Sequence, residues 1–122
     1  MAEHNDTGNW GEKIACDYLT SKGYAIVNTN YRVGHNEIDI IATKGDSICF
    51  VEVKTRMTHF ADPLEAIDKR KMSRLASAAD SFMRAYRMPF SPQFDVITVV
   101  GTRNQYELEH FEDAFRPPLR TR

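Results

Sequence analysis

The chain has 122 residues, 42% hydrophobic and 27% charged, a size and balance that fit one globular domain and leave little room for two. Its longest apolar runs, around Ile48 to Val51 and Val96 to Val100, fall far short of the ~18 residues a membrane helix needs, and the acidic opening residues lack the basic start and apolar middle of an export signal. A net charge of −1 gives no global basic field of the kind that marks many nucleic-acid binders, so the expectation is a cytoplasmic domain with no membrane partner.

In chain order, residues 1–8 read as a loose N-terminal segment. Ile14, Ala15, Tyr18 and Leu19 recur at helical spacing, which predicts a helix from about Trp10 to Lys22, with Asn9 as N-cap and Gly23 as its stop. Tyr24 to Tyr31 reads as a strand, Gly34-His35-Asn36 as a turn, Glu37 to Thr43 as a second strand, Gly45-Asp46 as a hairpin turn and Ser47 to Thr55 as a third strand. Asp62-Pro63-Leu64-Glu65 supplies a cap, a first-turn proline and a capping glutamate for a second helix. Its apolar face is Leu64, Ile67, Leu75, Ala78, Ala79, Phe82 and Tyr86, and it should end near Arg87. Phe94 to Val100 and Gln105 to Phe111 complete the pattern as strands joined by a turn at Gly101 to Asn104. The order αβββαββ predicts an α/β domain over residues 9–115, with a meander, a helical crossover and a basic, loose tail over residues 116–122.

The neutral total conceals local charge. Six basic residues stand against one acid between Lys69 and Arg87, and Arg116, Arg120 and Arg122 follow in the tail. Lys69, Arg70, Lys71 and Arg74 are either a solvated helix face or a clamp for a phosphate backbone; Thr55 and Arg56 are further candidate phosphate contacts. Cys16 and Cys49 sit in apolar segments without metal-binding spacing and read as reduced core residues. The four histidines have no ligand spacing, although His35 and His59 border the segment discussed next.

The third strand holds the anomaly. Its two faces are apolar at the start, marking an interior strand, yet Glu52 and Lys54 follow. Extending a Lys44–Ser47 hairpin pairing down the two strands sets Asp39 opposite Glu52 and Glu37 opposite Lys54, all on one face. Two ionised carboxylates in a partly dry place are expensive to hold. Either Lys54 closes a strand-edge ion pair, with Glu37 as its partner or a supporting group, or a divalent cation with oxygen ligands, Mg²⁺ or Mn²⁺, is held by Asp39 and Glu52. In the second case the arrangement suits metal-assisted phosphodiester hydrolysis, with Lys54 orienting the nucleophile or stabilising the transition state. Glu12 either completes this site from the first helix or belongs to a capping box with Asn9.

Glu12, Asn36-Glu37-Ile38-Asp39-Ile40-Ile41 and Phe50-Val51-Glu52-Val53-Lys54-Thr55-Arg56 resemble the YraN-like proteins. These are a family of small bacterial proteins placed in the PD-(D/E)XK, or restriction-endonuclease-like, superfamily near the archaeal Holliday-junction resolvases. The resemblance covers Gly11 to about Phe111. It implies a central mixed sheet of five strands flanked by helices, metal-ligand roles for Asp39 and Glu52, a catalytic lysine at Lys54 and a supporting acid at Glu12. The family often has glycine where this chain has Asn36, a residue that tolerates the same left-handed backbone. The implied activity is a metal-dependent nuclease acting on DNA, branched or structured substrates included. A homodimer would suit the cutting of two strands. The alternative is a non-catalytic nucleic-acid-binding or protein-interaction module on the same fold.

Overall fold

The computed structural model describes residues 2–57, 69–87 and 89–116, with side chains from Trp10 onward. The elements follow the expected order: α1 (Ala2–Ser21), β1 (Ala25–Val33), β2 (Asn36–Lys44), β3 (Ser47–Arg56), α2 (Lys69–Tyr86), β4 (Ser91–Thr102) and β5 (Gln105–Phe111). They form one mixed sheet in sequence order, β1-β2-β3-β4-β5. Only β3 and β4, separated by α2, pair in parallel; the other neighbours are antiparallel. Parallel pairing needs a crossover, and α2 lies in it.

The two helices cover opposite faces. Ala15 and Leu19 of α1 pack with Ile40, Ala42, Cys49, Val51, Ile97 and Val99. Leu75, Ala78, Ala79 and Phe82 of α2 pack with Ile38, Ile41, Ile48, Phe50 and Phe94. Phe82 meets the rings of Tyr31 and Phe50 edge-on, at 5.1 and 6.1 Å between centroids. Burying such a side chain contributes roughly 2–3 kcal/mol. Strand β3, sandwiched on both faces, is buried from Ile48 to Glu52, which explains its apolar start.

Gly23 ends α1 as expected, with φ +94°. Its N–H donates to Thr20 O, and the N–H of Tyr24 donates to Leu19 O, the paired closure that favours glycine at this position. The start of α1 corrects the sequence reading: the helix begins at Ala2, so Asn9 lies within it and not at its N-terminus. The capping-box reading of Glu12 falls with it. Tyr86 is 57% exposed rather than part of a buried face, because it sits at the last turn of α2 and only stacks on Phe82. β4 starts at Ser91, earlier than expected. Pro92 is tolerated there because β5 joins β4 only from Val96, leaving that end with one open flank. The expected cap at Asp62 to Glu65, with Leu64 and Ile67, lies outside the described residues, as do His59 and residues 117–122.

Candidate carboxylate and lysine centre

The hairpin register follows the sequence expectation from Lys44↔Ser47 through Ile40↔Val51. There the paired ladder ends. Ile40 packs with the α1-side core and Ile38 with the α2-side core, although residues two apart on a regular strand share a face. β2 therefore turns over at Asp39. On its other side the ladder with β1 runs from Thr29↔Ile40 to Tyr31↔Ile38, omitting Asn30, whose φ is +53°. The irregularity redirects the Asp39 side chain, so that its Oδ2 accepts the backbone N–H of Val53 at 2.8 Å instead of standing across a regular ladder from Glu52.

This placement is electrostatically unfavourable for an ionised carboxylate. Burial first, and then the charge of Glu52, push the Asp39 carboxyl up to about 7, with Glu12 adding to the effect and the Val53 N–H and Lys71 opposing it. Glu52 is more deeply buried, with its side chain 5% exposed. Its Oε2 takes two ammonium groups, Lys54 Nζ and Lys71 Nζ, each at 3.2 Å. The second of these was foreseen only as a phosphate contact. Lys71 enters because Glu52 and Lys54 share the sheet face covered by α2, and its place one turn before the buried Leu75 brings it over that face.

Glu12 reaches the same neighbourhood from α1. Burial raises its carboxyl above the ordinary value, a hydrogen bond from the Asn30 side chain lowers it, and Glu37 and Glu52 raise it further. α1 approaches closely here because Gly11 has no side chain: a Cβ at that position would overlap Thr55 Oγ1. Asn30 was missed from sequence. Two asparagines within Ala25–Val33 were a usable signal, since asparagine is depleted in regular strands and tolerates positive φ.

Other expectations are redistributed. Glu37 does not face Lys54; it pairs across β1 with Arg32 and lies 3.7 Å from that guanidinium, because β2 has already parted from β3. Thr55 lies beneath Gly11, while Arg56, Lys69, Arg70 and Arg74 are exposed. His35 is exposed in the β1–β2 turn. His110 instead joins a separate network, with Nε2 2.7 Å from Asp95 Oδ2 and Nδ1 3.1 Å from the Tyr18 hydroxyl. Asp95 is fully buried and also accepts from Gln93 Nε2 and the Asp113 N–H. That network ties α1, β4, β5 and the following turn together.

No group of three or more His, Cys, Asp and Glu side chains converges as a ready ligand set among the described residues. The carboxylates of Asp39 and Glu52, which act on one another, are hard oxygen donors, which suits Mg²⁺ or Mn²⁺ rather than Zn²⁺. Asp39 commits Oδ2 to Val53 and Glu52 commits Oε2 to the lysines. A cation held by two carboxylates and otherwise by water is ordinary for Mg²⁺, so the residues present fit it.

Fold and site thus define a small α/β domain with a carboxylate and lysine centre where two central strands part. The chain belongs to uncharacterised protein family UPF0102, whose family model matches residues 11–99. It is 45% identical over 120 residues to a UPF0102 protein of Bacteroides thetaiotaomicron, covering 98% of this chain and 99% of that one. A UPF0102 protein of Bacteroides fragilis is 43% identical over 120 residues, with the same coverage. One of Flavobacterium psychrophilum is 40% identical over 116 residues, covering 94% of this chain and 98% of that one. The family resemblance read from the motifs is borne out. No helix among the described residues is long and apolar enough to cross a membrane.

Proposed function

We propose that the protein is a divalent-metal-dependent nuclease of the restriction-endonuclease-like class that hydrolyses phosphodiester bonds in DNA, including branched or otherwise structured DNA. The observation that carries this reading is the pairing of two desolvated carboxylates, Asp39 and Glu52, at a break in the sheet, with lysines beside them. Like charges so placed lower stability, and a site retaining them is a candidate for chemistry. Asp39 and Glu52 would hold the ion, which when bound lowers the pKa of a coordinated water and offsets charge on the phosphate. Lys54, on the carboxylate that holds the ion, orients the attacking water or stabilises the oxygens that gain negative charge. Lys71 does so from the other side of the same oxygen. Glu12, with its raised carboxyl, is the supporting acid. The exposed Arg56, Lys69, Arg70 and Arg74 hold the flanking backbone.

One observation favours a non-catalytic nucleic-acid-binding module instead: the Lys54 and Lys71 ammonium groups already neutralise Glu52. Cleavage separates the two readings. Linear, branched and single-stranded DNA are incubated with wild type, Glu52→Ala and Asp39→Asn, with Mg²⁺ or Mn²⁺ and with EDTA. The nuclease reading expects metal-dependent cleavage of at least one substrate and a loss of 100-fold or more in both variants, on the order of what electrostatic catalytic groups contribute. Absence of cleavage, or variants that cut as well as wild type, would leave the binding module.

A further inference from the structure

Asn30 of β1 sits at the rung where the sheet breaks, and the proposed chemistry gives it no task. The ladder between β1 and β2 pairs Thr29 with Ile40 and Tyr31 with Ile38, so Asn30 lies level with Asp39. Both strands turn over at this rung. Thr29 shares the face of its partner Ile40, on the side of the α1 core, whereas Tyr31 and Ile38 pack on the α2 side. In β1 the reversal coincides with a left-handed backbone at Asn30, with φ +53°.

From that rung the Asn30 side chain donates a hydrogen bond to the Glu12 carboxylate of α1. Glu12 stands in company that repels it: Glu37 and Glu52 act on it, and it acts in turn on Asp39. It comes this near because α1 approaches β3 at Gly11, where a Cβ would overlap Thr55 Oγ1. Close approach of the backbone does not choose a rotamer for a long side chain, and repulsion from three carboxylates favours the rotamers that point to water. A donor on the inner side reverses that preference. The two demands at position 30 select its residue type. Positive φ admits glycine, asparagine or aspartate at low cost. Of these, glycine has no side-chain donor and an ionised aspartate only acceptors, whereas the amide of asparagine donates.

We propose that Asn30 is a positioning residue that holds the Glu12 carboxylate toward Asp39 and Glu52, so that a third negative charge faces the cation those two would share. The consequence for cation binding rests on the metal-dependent reading above; the Asn30–Glu12 contact does not. Glycine at position 30 would serve the backbone equally well, so the amide is the part of Asn30 that the centre uses.

Asn30→Gly therefore removes the amide and keeps the left-handed backbone. Position 30 is exposed, and the variant's own melting curve shows that it folds. Full-length wild type, Asn30→Gly, Glu12→Ala and the double variant are titrated with Mn²⁺ at pH 8, with free Mn²⁺ read by electron paramagnetic resonance, and are melted separately in EDTA. Asn30→Gly and Glu12→Ala should each weaken Mn²⁺ binding by about tenfold, the low end for a group that orients the surroundings of a metal. The double variant should bind no more weakly than Glu12→Ala. In EDTA, Asn30→Gly should lower the Tm of wild type by about 2–5 °C more than it lowers that of Glu12→Ala. A purely structural Asn30 would lower both Tm values equally. Mn²⁺ affinity equal to wild type in Asn30→Gly overturns the proposal and leaves the metal site standing. Additive Tm changes overturn the contact itself. A Tm effect that depends on Glu12, in a protein that binds no Mn²⁺, removes the metal site and upholds Asn30 as the residue that positions Glu12.

Discussion

Asp39→Asn is expected to stabilise the metal-free protein at pH 8 by about 2–3 kcal/mol and to change it little at pH 4. The folded state raises the Asp39 carboxyl to about 7, through burial and the charge of Glu52. An aspartate in the unfolded chain titrates near ~4. Between these values the folded protein holds a proton that the unfolded chain has released, so stability falls as pH rises through the window and stays low above it. The shift by itself corresponds to about 4 kcal/mol; partial solvent contact reduces it. Asparagine removes the charge and keeps an oxygen to accept the Val53 N–H. Urea unfolding of both proteins at the two pH values measures the difference. Equal loss of stability in wild type and variant as pH rises would mean that Asp39 is not the strained acid. Glu12, raised for the same leading reason, adds a loss of the same sign to both proteins.

Glu52→Ala should act in the opposite direction, lowering stability by about 2–4 kcal/mol at neutral pH. Its carboxylate is nearly dry, and Lys54 and Lys71 both depend on Oε2. Truncation removes the anion that Lys54 and Lys71 share, and breaking a buried pair commonly costs 3–5 kcal/mol. The lysine side chains are 26% and 34% exposed, so water recovers part of that. The same change relieves Asp39 of a like charge and lowers its carboxyl toward the ordinary range. Chemical denaturation of Glu52→Ala, Lys71→Met and the double variant separates the terms. Removing Lys71 from Glu52→Ala should cost less than removing it from wild type. Additive losses would contradict the shared-anion arrangement.

The two carboxylates thus carry opposite consequences although both lie largely out of water, and the sequence contained only half of that contrast. Periodicity, glycine and hairpin chemistry were sufficient for the element order, the Gly23 stop and the register from Lys44↔Ser47 to Ile40↔Val51. Strict alternation then placed Asp39 and Glu37 on one regular face, where the chain departs from regularity. The departure coincides with the left-handed Asn30 of β1, and a strand irregularity cannot be inferred from the partner strand's own pattern. Glu37 consequently belongs to Arg32. Lys71 was visible as charge but not as a partner of Glu52, because helical spacing fixes which face of α2 meets the sheet and not which residue of β3 lies below it. Likewise Asp95 and His110 lie far apart in the chain, and only the β4–β5 pairing brings them together.

The central claim is that Asp39 and Glu52 form a cation site, and thermal unfolding during a Mn²⁺ titration at pH 8 tests it most directly. A cation bound only by the folded state stabilises by RT ln(1 + [L]/Kd), about 2.7 kcal/mol at a hundredfold excess over Kd. Wild type should therefore show a saturable rise in Tm that is absent from Asp39→Asn, whose metal-free Tm should be the higher of the two. A wild-type Tm unmoved by Mn²⁺, or an equal rise in Asp39→Asn, would contradict the claim.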